Sequence, residues 1–233
     1  MIPSTEFDAF TDNYEQELGR GISVSGESKD YFSEQRVRWL CGSLRKLNQS
    51  PNSVFDFGCG VGASSVQLLE LLDANRYVGV DTSANSIERA RKEFGSPNRR
   101  FDVLRDSSDG YGEEFDLAYC NGVFHHIPLE DRLSAARYVY NSLRPGGIFS
   151  FWENNPWNPG TRYVMSRIAF DRDARTLSVR EASRLLRTVG FSIVSRDFLF
   201  IFPRMMKRLR FLEPPLSMFP LGAQYQILCQ RSS

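Results

Sequence analysis

The chain has 233 residues, a formal net charge of +1, 41% hydrophobic and 24% charged residues, enough for one sizeable α/β core with terminal additions and short for two independent domains. So even a balance gives no overall attraction toward nucleic acid or an anionic membrane, so any binding surface must be local. Residues 1–10 lack the basic start and apolar stretch of a secretion signal, no apolar run approaches the roughly 18 residues of a membrane helix, and Cys41, Cys59, Cys120 and Cys229 stand singly, which points to a reducing cytoplasm and no metal.

Residues 7–26 are polar and carry Tyr14, Gly19, Gly21 and Gly26, the composition of a short helix with flexible turns, read as an arm or lid. Tyr31, Phe32, Val37, Leu40, Cys41, Leu44 and Leu47 then fall at helical spacing over 29–47, with Pro51 as a stop. Residues 1–50 thus form an N-terminal helical arm, and 51–233 the core. Short apolar runs at 53–57, 77–80, 100–104, 115–120 and 147–152 read as buried parallel strands. Helical periodicity over 63–72, 85–94 and 132–143 lies between them, the alternation of a doubly wound sheet with helices on both faces. A helix over 180–188 and strands over 191–201 and 224–230 follow. The two strands are separated only by an insertion at about 202–219, which suits an antiparallel finish to a mostly parallel, seven-stranded Rossmann-like sheet.

The strongest local signal is Asp56-Phe57-Gly58-Cys59-Gly60-Val61-Gly62, where a strand ends and a helix begins. Glycines there let the backbone turn sharply and approach a ligand, and the free N–H groups of a helix start favour polar or anionic partners. A nucleotide-type ligand at the carboxyl end of the first strand follows. The loop alone does not select the ligand, because Gly58, Gly60 and Ala63 also satisfy the dinucleotide fingerprint. Asp81, closing Val78-Gly79-Val80-Asp81, suits ribose hydroxyls in either case, or a plain helix cap.

Four motifs in order carry a resemblance over most of the chain. They are Asp56 with the glycine loop, Asp106-Ser107 after the third strand, the fourth-strand run Phe115-Asp116-Leu117-Ala118-Tyr119-Cys120-Asn121-Gly122-Val123-Phe124-His125-His126-Ile127, and Leu143-Arg144-Pro145-Gly146-Gly147 before the fifth strand. Together they resemble the class I S-adenosylmethionine-dependent methyltransferases. The resemblance implies S-adenosylmethionine as cofactor, bound by Asp56 and by Gly58, Cys59, Gly60 and Gly62 passing beneath it, with Asp81 on the ribose. Thr82 would lie at the adenine edge, Asp106 and Ser107 at the adenine amine, and Asn121 near the methionine moiety. Arg36 would reach the cofactor carboxylate, with Tyr14 or Tyr31 closing over the site.

Methyl transfer is an in-line displacement, so aligning the acceptor lone pair with the carbon–sulfur bond is the main task and no catalytic side chain is compulsory. His125 and His126, the only two histidines, follow the fourth strand, where an imidazole can take a proton from an attacking hydroxyl or ammonium, unless they pack on the loop. After the fifth strand comes Trp152-Glu153-Asn154-Asn155-Pro156-Trp157-Asn158-Pro159. In it Glu153 is a candidate base or anchor, Asn154 and Asn155 orient the acceptor and Trp157 covers a flat surface. A rigid Pro-rich turn is the alternative. Tyr31 and Tyr225 complete the expected acceptor contacts.

Asn155-Pro156-Trp157 lacks the second proline and the fourth-strand position of the nucleic-acid N-methyltransferases, which argues against a base of DNA or RNA and for a small-molecule acceptor. In 202–219, Met205, Met206, Leu209 and Leu212 make an apolar stripe beside Arg204, Lys207, Arg208 and Arg210. That pattern suits a lid on the acceptor pocket, with a membrane surface or lipid-linked substrate as the alternative. The leading expectation is O- or N-methyl transfer to a small molecule. A nicotinamide-dependent oxidoreductase and a non-catalytic cofactor-binding partner subunit are the alternatives.

Overall fold

A computed structural model describes residues 25–104, 110–112, 114–167 and 174–232. Tyr14, Asp106, Ser107 and the part of the expected arm before residue 25 lie outside the described residues. Helix α1 (Lys29–Lys46) precedes β1 (Ser53–Phe57), α2 (Ser64–Leu72), β2 (Arg76–Asp81), α3 (Ala84–Phe94), β3 (Arg99–Val103) and β4 (Phe115–Asn121). Then come α4 (Arg132–Ser142), β5 (Leu143–Asn154), α5 (Pro159–Arg167), α6 (Val179–Val189), β6 (Phe191–Leu199), α7 (Glu213–Leu216) and β7 (Gln224–Arg231).

The strands form one sheet in the order β3-β2-β1-β4-β5-β7-β6. Pairing is parallel from β3 through β5, and β7 runs antiparallel to both β5 and β6. Alternate side chains feed two cores. Phe55, Phe57, Ala118 and Cys120 pack with Ala136 and Val139 of α4 and Ala182 and Leu186 of α6. Val54, Leu117 and Tyr119 point the other way, onto Leu40 of α1, Leu68 of α2 and Ile87 of α3. The inner strands β1, β2, β4, β5 and β7 are therefore buried on both faces and read as continuous runs, whereas the edge strands β3 and β6 keep exposed positions.

Local chemistry sets the helix ends. The Ser28 hydroxyl accepts the Tyr31 N–H and starts α1, and Ser83 accepts the Ser86 N–H and starts α3. Ser178 and Glu181 form a reciprocal capping box on α6, which ends on Gly190 in the left-handed conformation. Since Ser83 caps α3, Asp81 is left for other work. The strand order reverses between β1 and β4, so their carboxyl ends open a crevice.

Residues 155–158 make the turn that the sequence offered as the alternative for this segment, and helix α5, which no sequence pattern announced, begins directly after it. Asn158 accepts the Thr161 N–H at 3.0 Å, and Pro159 takes the first helical position, where its missing N–H costs nothing. The insertion is a 3-10 segment, Arg204–Leu212, broken at Met206 (φ −103°, ψ 21°), with no buried residue. Of its apolar stripe, Met205 stands 93% exposed, while Met206, Leu209 and Leu212 are more than half covered. Polar groups fasten it to the start of α1: Arg204 donates to the Gly26 carbonyl and Arg210 pairs with Glu27 at 2.9 Å.

Candidate functional site

The glycine loop turns sharply at the end of β1. Gly58 and Cys59 both donate to the Val80 carbonyl, tying the loop to β2. Gly58 has φ +77°, and a Cβ there would lie 2.3 Å from Val123, so the β4 loop can close on it only if it is glycine. Gly60 has φ +54°, yet a Cβ on it would meet nothing within 4 Å. The protein backs the loop at Gly58 and leaves space at Gly60. Its N–H donates to Asp81 at 2.8 Å, and the other Asp81 oxygen accepts the Ser83 N–H at 3.0 Å. Asp81 and Thr82 are partly exposed at the end of β2.

Asp56 is buried beneath the loop rather than open to it. Tyr77 donates its hydroxyl to the Asp56 carboxylate at 2.7 Å. Burial pushes the Asp56 carboxyl up to about 7, against the lowering effect of that bond. Cys59 packs over Gly79, where a Cβ would lie 2.8 Å from its sulfur, and burial drives its thiol well above the ordinary range.

Beside the loop lies a group of polar atoms that the described residues do not satisfy. Arg36 is buried on α1 and donates through Nη1 to Gln224 at 3.0 Å, while its Nε has no acceptor. Asn121 Oδ1, on β4, is likewise buried and unpartnered, and the buried Tyr119 Oη lies against Arg36 without a well-formed hydrogen bond. Burial raises the Tyr119 phenol to about 12, the nearby Arg36 charge offsetting part of the effect. The network continues from Gln224 Nε2 to Asn154 Oδ1 at 3.1 Å. Buried polar atoms without partners are costly unless a ligand completes them. A donor from Arg36 together with Asn121 Oδ1 suits the carboxylate and ammonium ends of an amino acid, so these residues fit the S-adenosylmethionine expected of the loop.

The histidines lie in a 3-10 turn, Phe124–His126, directly after β4. His125 is buried, and its Nδ1 meets Glu153 Oε2 at 2.6 Å. Glu153, also buried, accepts the Phe124 and His125 backbone N–H groups on Oε1 at 2.7 and 3.3 Å. Burial alone would raise its pKa, but His125 and these donors hold the carboxyl below its usual value. Arg132, missed at the sequence level, is buried and donates to the Ile127 and Arg175 carbonyls at 2.9 and 2.6 Å. His126 is partly exposed, its ring centroid 4.0 Å from that of His125.

Three expected acceptor-side residues turn inward. Glu153 has both oxygens engaged with the turn and so holds the loop. Asn155 is buried, donating to the Pro220 and Gly222 carbonyls while its backbone N–H bonds Ala223. Tyr225 is buried, with its hydroxyl on the Leu177 carbonyl at 3.0 Å. All three hold backbone that would otherwise lack partners. Trp157 remains half exposed. Tyr31 lies under the Arg210 guanidinium, 4.7 Å from its ring, and so belongs to the insertion contact. An Asp, Asn or Glu at a strand end reads alike from sequence whether it faces a ligand or a loop carbonyl.

Comparison with known proteins adds to this geometry. A family model described as a methyltransferase domain matches residues 55–149. A carboxy-S-adenosyl-L-methionine synthase of Alteromonas mediterranea is 32% identical over 180 residues, covering 66% of this chain and 74% of that protein. A trans-aconitate 2-methyltransferase of Rhodopseudomonas palustris is 27% identical over 152 residues, and the chain spans only 58% of its length. Among solved structures, a Thermotoga maritima protein described as an S-adenosylmethionine-dependent methyltransferase, possible histamine N-methyltransferase, shares the fold. Its TM-score is 0.63 at 22% identity, over 97% of this chain and 98% of that one. The ambiguity left by the glycine loop is thereby decided, and the chain belongs to the class I S-adenosylmethionine-dependent methyltransferases.

Proposed function

We propose that the chain methylates an oxygen or nitrogen of a small-molecule acceptor, with His126 as the group that takes the acceptor proton. The observation that carries the reading is the position of His126: partly exposed after β4, its ring tilted against that of His125 in the buried His125–Glu153 pair, and five residues beyond Asn121 with its unpartnered Oδ1. S-adenosylmethionine supplies an electrophilic methyl group on a sulfonium. Around it Asp81 would hold the ribose hydroxyls, Arg36 the carboxylate and Asn121 the amino group. Gly60 lets the chain pass close beneath, and α1 forms one wall of the site as part of the N-terminal arm. Glu153 and Arg132 act through the backbone, holding the turn so that His126 keeps one orientation.

A small acceptor is supported by the near-neutral chain, by the Asn121-Gly122-Val123-Phe124 run at the end of β4, and by a relative named for trans-aconitate. The test is incubation with methyl-labelled S-adenosylmethionine and a panel of small hydroxyl, carboxylate and amine compounds. A labelled methyl ether, ester or amine is the expected product, and label found only in polynucleotide or protein would overturn the reading. His126→Ala should lower kcat by roughly 10²–10⁴, the usual worth of a positioned base, while S-adenosylhomocysteine affinity stays constant. Unchanged turnover would remove His126 from the proton transfer.

A further inference from the structure

The insertion leaves a surface that folding does not use. Met205 is 93% exposed, Phe211 73% and Met218 70%, and Phe219 and Leu221 are half exposed beside them in the chain. Isolated exposed apolar residues are ordinary, but a run of large ones within one segment marks an interaction face. The same stretch carries Arg204, Lys207, Arg208 and Arg210 against the single acid Glu213, in a chain whose net charge is only +1. Glu213 is turned to the backbone, accepting the Phe202 N–H at 3.1 Å. Lys207 and Arg208 are exposed.

We infer that this face docks on an anionic lipid bilayer. Two observations select that occupant. The face is basic and apolar together, the combination that an anionic headgroup layer over acyl chains complements. A second copy of the chain is disfavoured, because a twofold interface brings the same patch of both copies together and would gather two sets of Lys207 and Arg208 charges in one contact. The segment is also a broken 3-10 run with no buried residue; it offers side chains to insert rather than a shaped groove to receive a partner. Its position gives the docking a consequence. The Leu221 carbonyl accepts from Asn158 and the Pro220 carbonyl from Asn155, so the face adjoins the loop after β5, at the carboxyl end of the parallel strands, the end at which the crevice opens. Docking brings that mouth to the bilayer surface. The inference stands on the surface alone and does not depend on the acceptor.

Co-sedimentation of the full chain with phosphatidylcholine vesicles, and with vesicles containing roughly one third phosphatidylglycerol, tests it. The chain should pellet with the anionic vesicles only, and high salt should release it as screening removes the headgroup attraction. K207E/R208E, and separately M205S/F211S, should each weaken vesicle binding about tenfold or more while S-adenosylhomocysteine affinity and melting temperature stay at wild-type values. Absence of binding to anionic vesicles, equal binding to both compositions, or binding unaffected by either double variant would overturn the inference. So would a vesicle-free dimer, seen by analytical ultracentrifugation, that the same variants dissociate.

Discussion

Asp56 and Glu153 are both buried carboxylates, and their surroundings drive them in opposite directions. Burial raises Asp56 to about 7, with one hydroxyl donor to offset it. Burial also acts on Glu153, but its His125 partner and two backbone N–H groups outweigh it and hold the carboxyl low. A raised acid binds its proton more tightly when folded, so the stability it contributes is complete below the unfolded carboxylate range and lost as pH climbs toward 7. A lowered acid does the reverse: its contribution is present above the unfolded value and lost as pH falls through the folded one. Asp56→Asn is therefore expected to flatten the fall in melting temperature between about pH 4 and 7, and Glu153→Gln to flatten the acid limb below it. Thermal melts across pH check both, and an unchanged Asp56→Asn profile would show that the carboxyl is not desolvated. Gly60→Ala should cost roughly 1 kcal/mol for its left-handed backbone, since its Cβ meets no neighbour. It should weaken S-adenosylhomocysteine binding by about tenfold or more, read by calorimetry. Equal affinity would place the ligand away from the loop.

At the scale of elements, legibility followed the source of each element's stability. Strand β1 matches its sequence-derived limits, 53–57, and α1 differs by one residue at its end, because both are set by apolar patterning within the segment. Helix α5 escaped notice since Asn158-Pro159 is equally good as a turn and as a cap followed by a first helical residue. Asn155 and Tyr225 were placed on the right loop and strand but given the wrong partners, as their hydrogen-bond acceptors lie up to 67 residues away in the chain. Arg132 carried no signal at all, being one arginine among many until two carbonyls converge on it. Asn158→Ala should destabilise the protein by about 1 kcal/mol, through the α5 cap and the bond to the Leu221 carbonyl, measured by chemical denaturation. A loss confined to the loss of vesicle binding, with stability intact, would mean that Asn158 serves the insertion rather than the helix.

For the whole molecule, α1 is part of the core. Val37, Leu40 and Leu44 are buried with Leu68, Tyr77 and Tyr119 on one face of the sheet, and the same helix carries the buried Arg36 that we propose for the cofactor carboxylate. Leu40→Ala is expected to cost about 2–5 kcal/mol and to lower cofactor affinity through the displaced helix, whereas Met205→Ala, on the unburied insertion, should change stability by less than about 0.5 kcal/mol. Denaturation midpoints compare the two directly. Strand order carries a further consequence, one of timing. Among the described strands β6 pairs only with β7, and β7 is the later of the two in the chain although it lies between β5 and β6. As the polypeptide leaves the ribosome, β1 to β5 can assemble while β6 has no partner to join. The sheet closes only when β7 slots into its interior, so the nascent protein waits for those eight residues with a sheet edge open to chaperones or to a neighbouring chain.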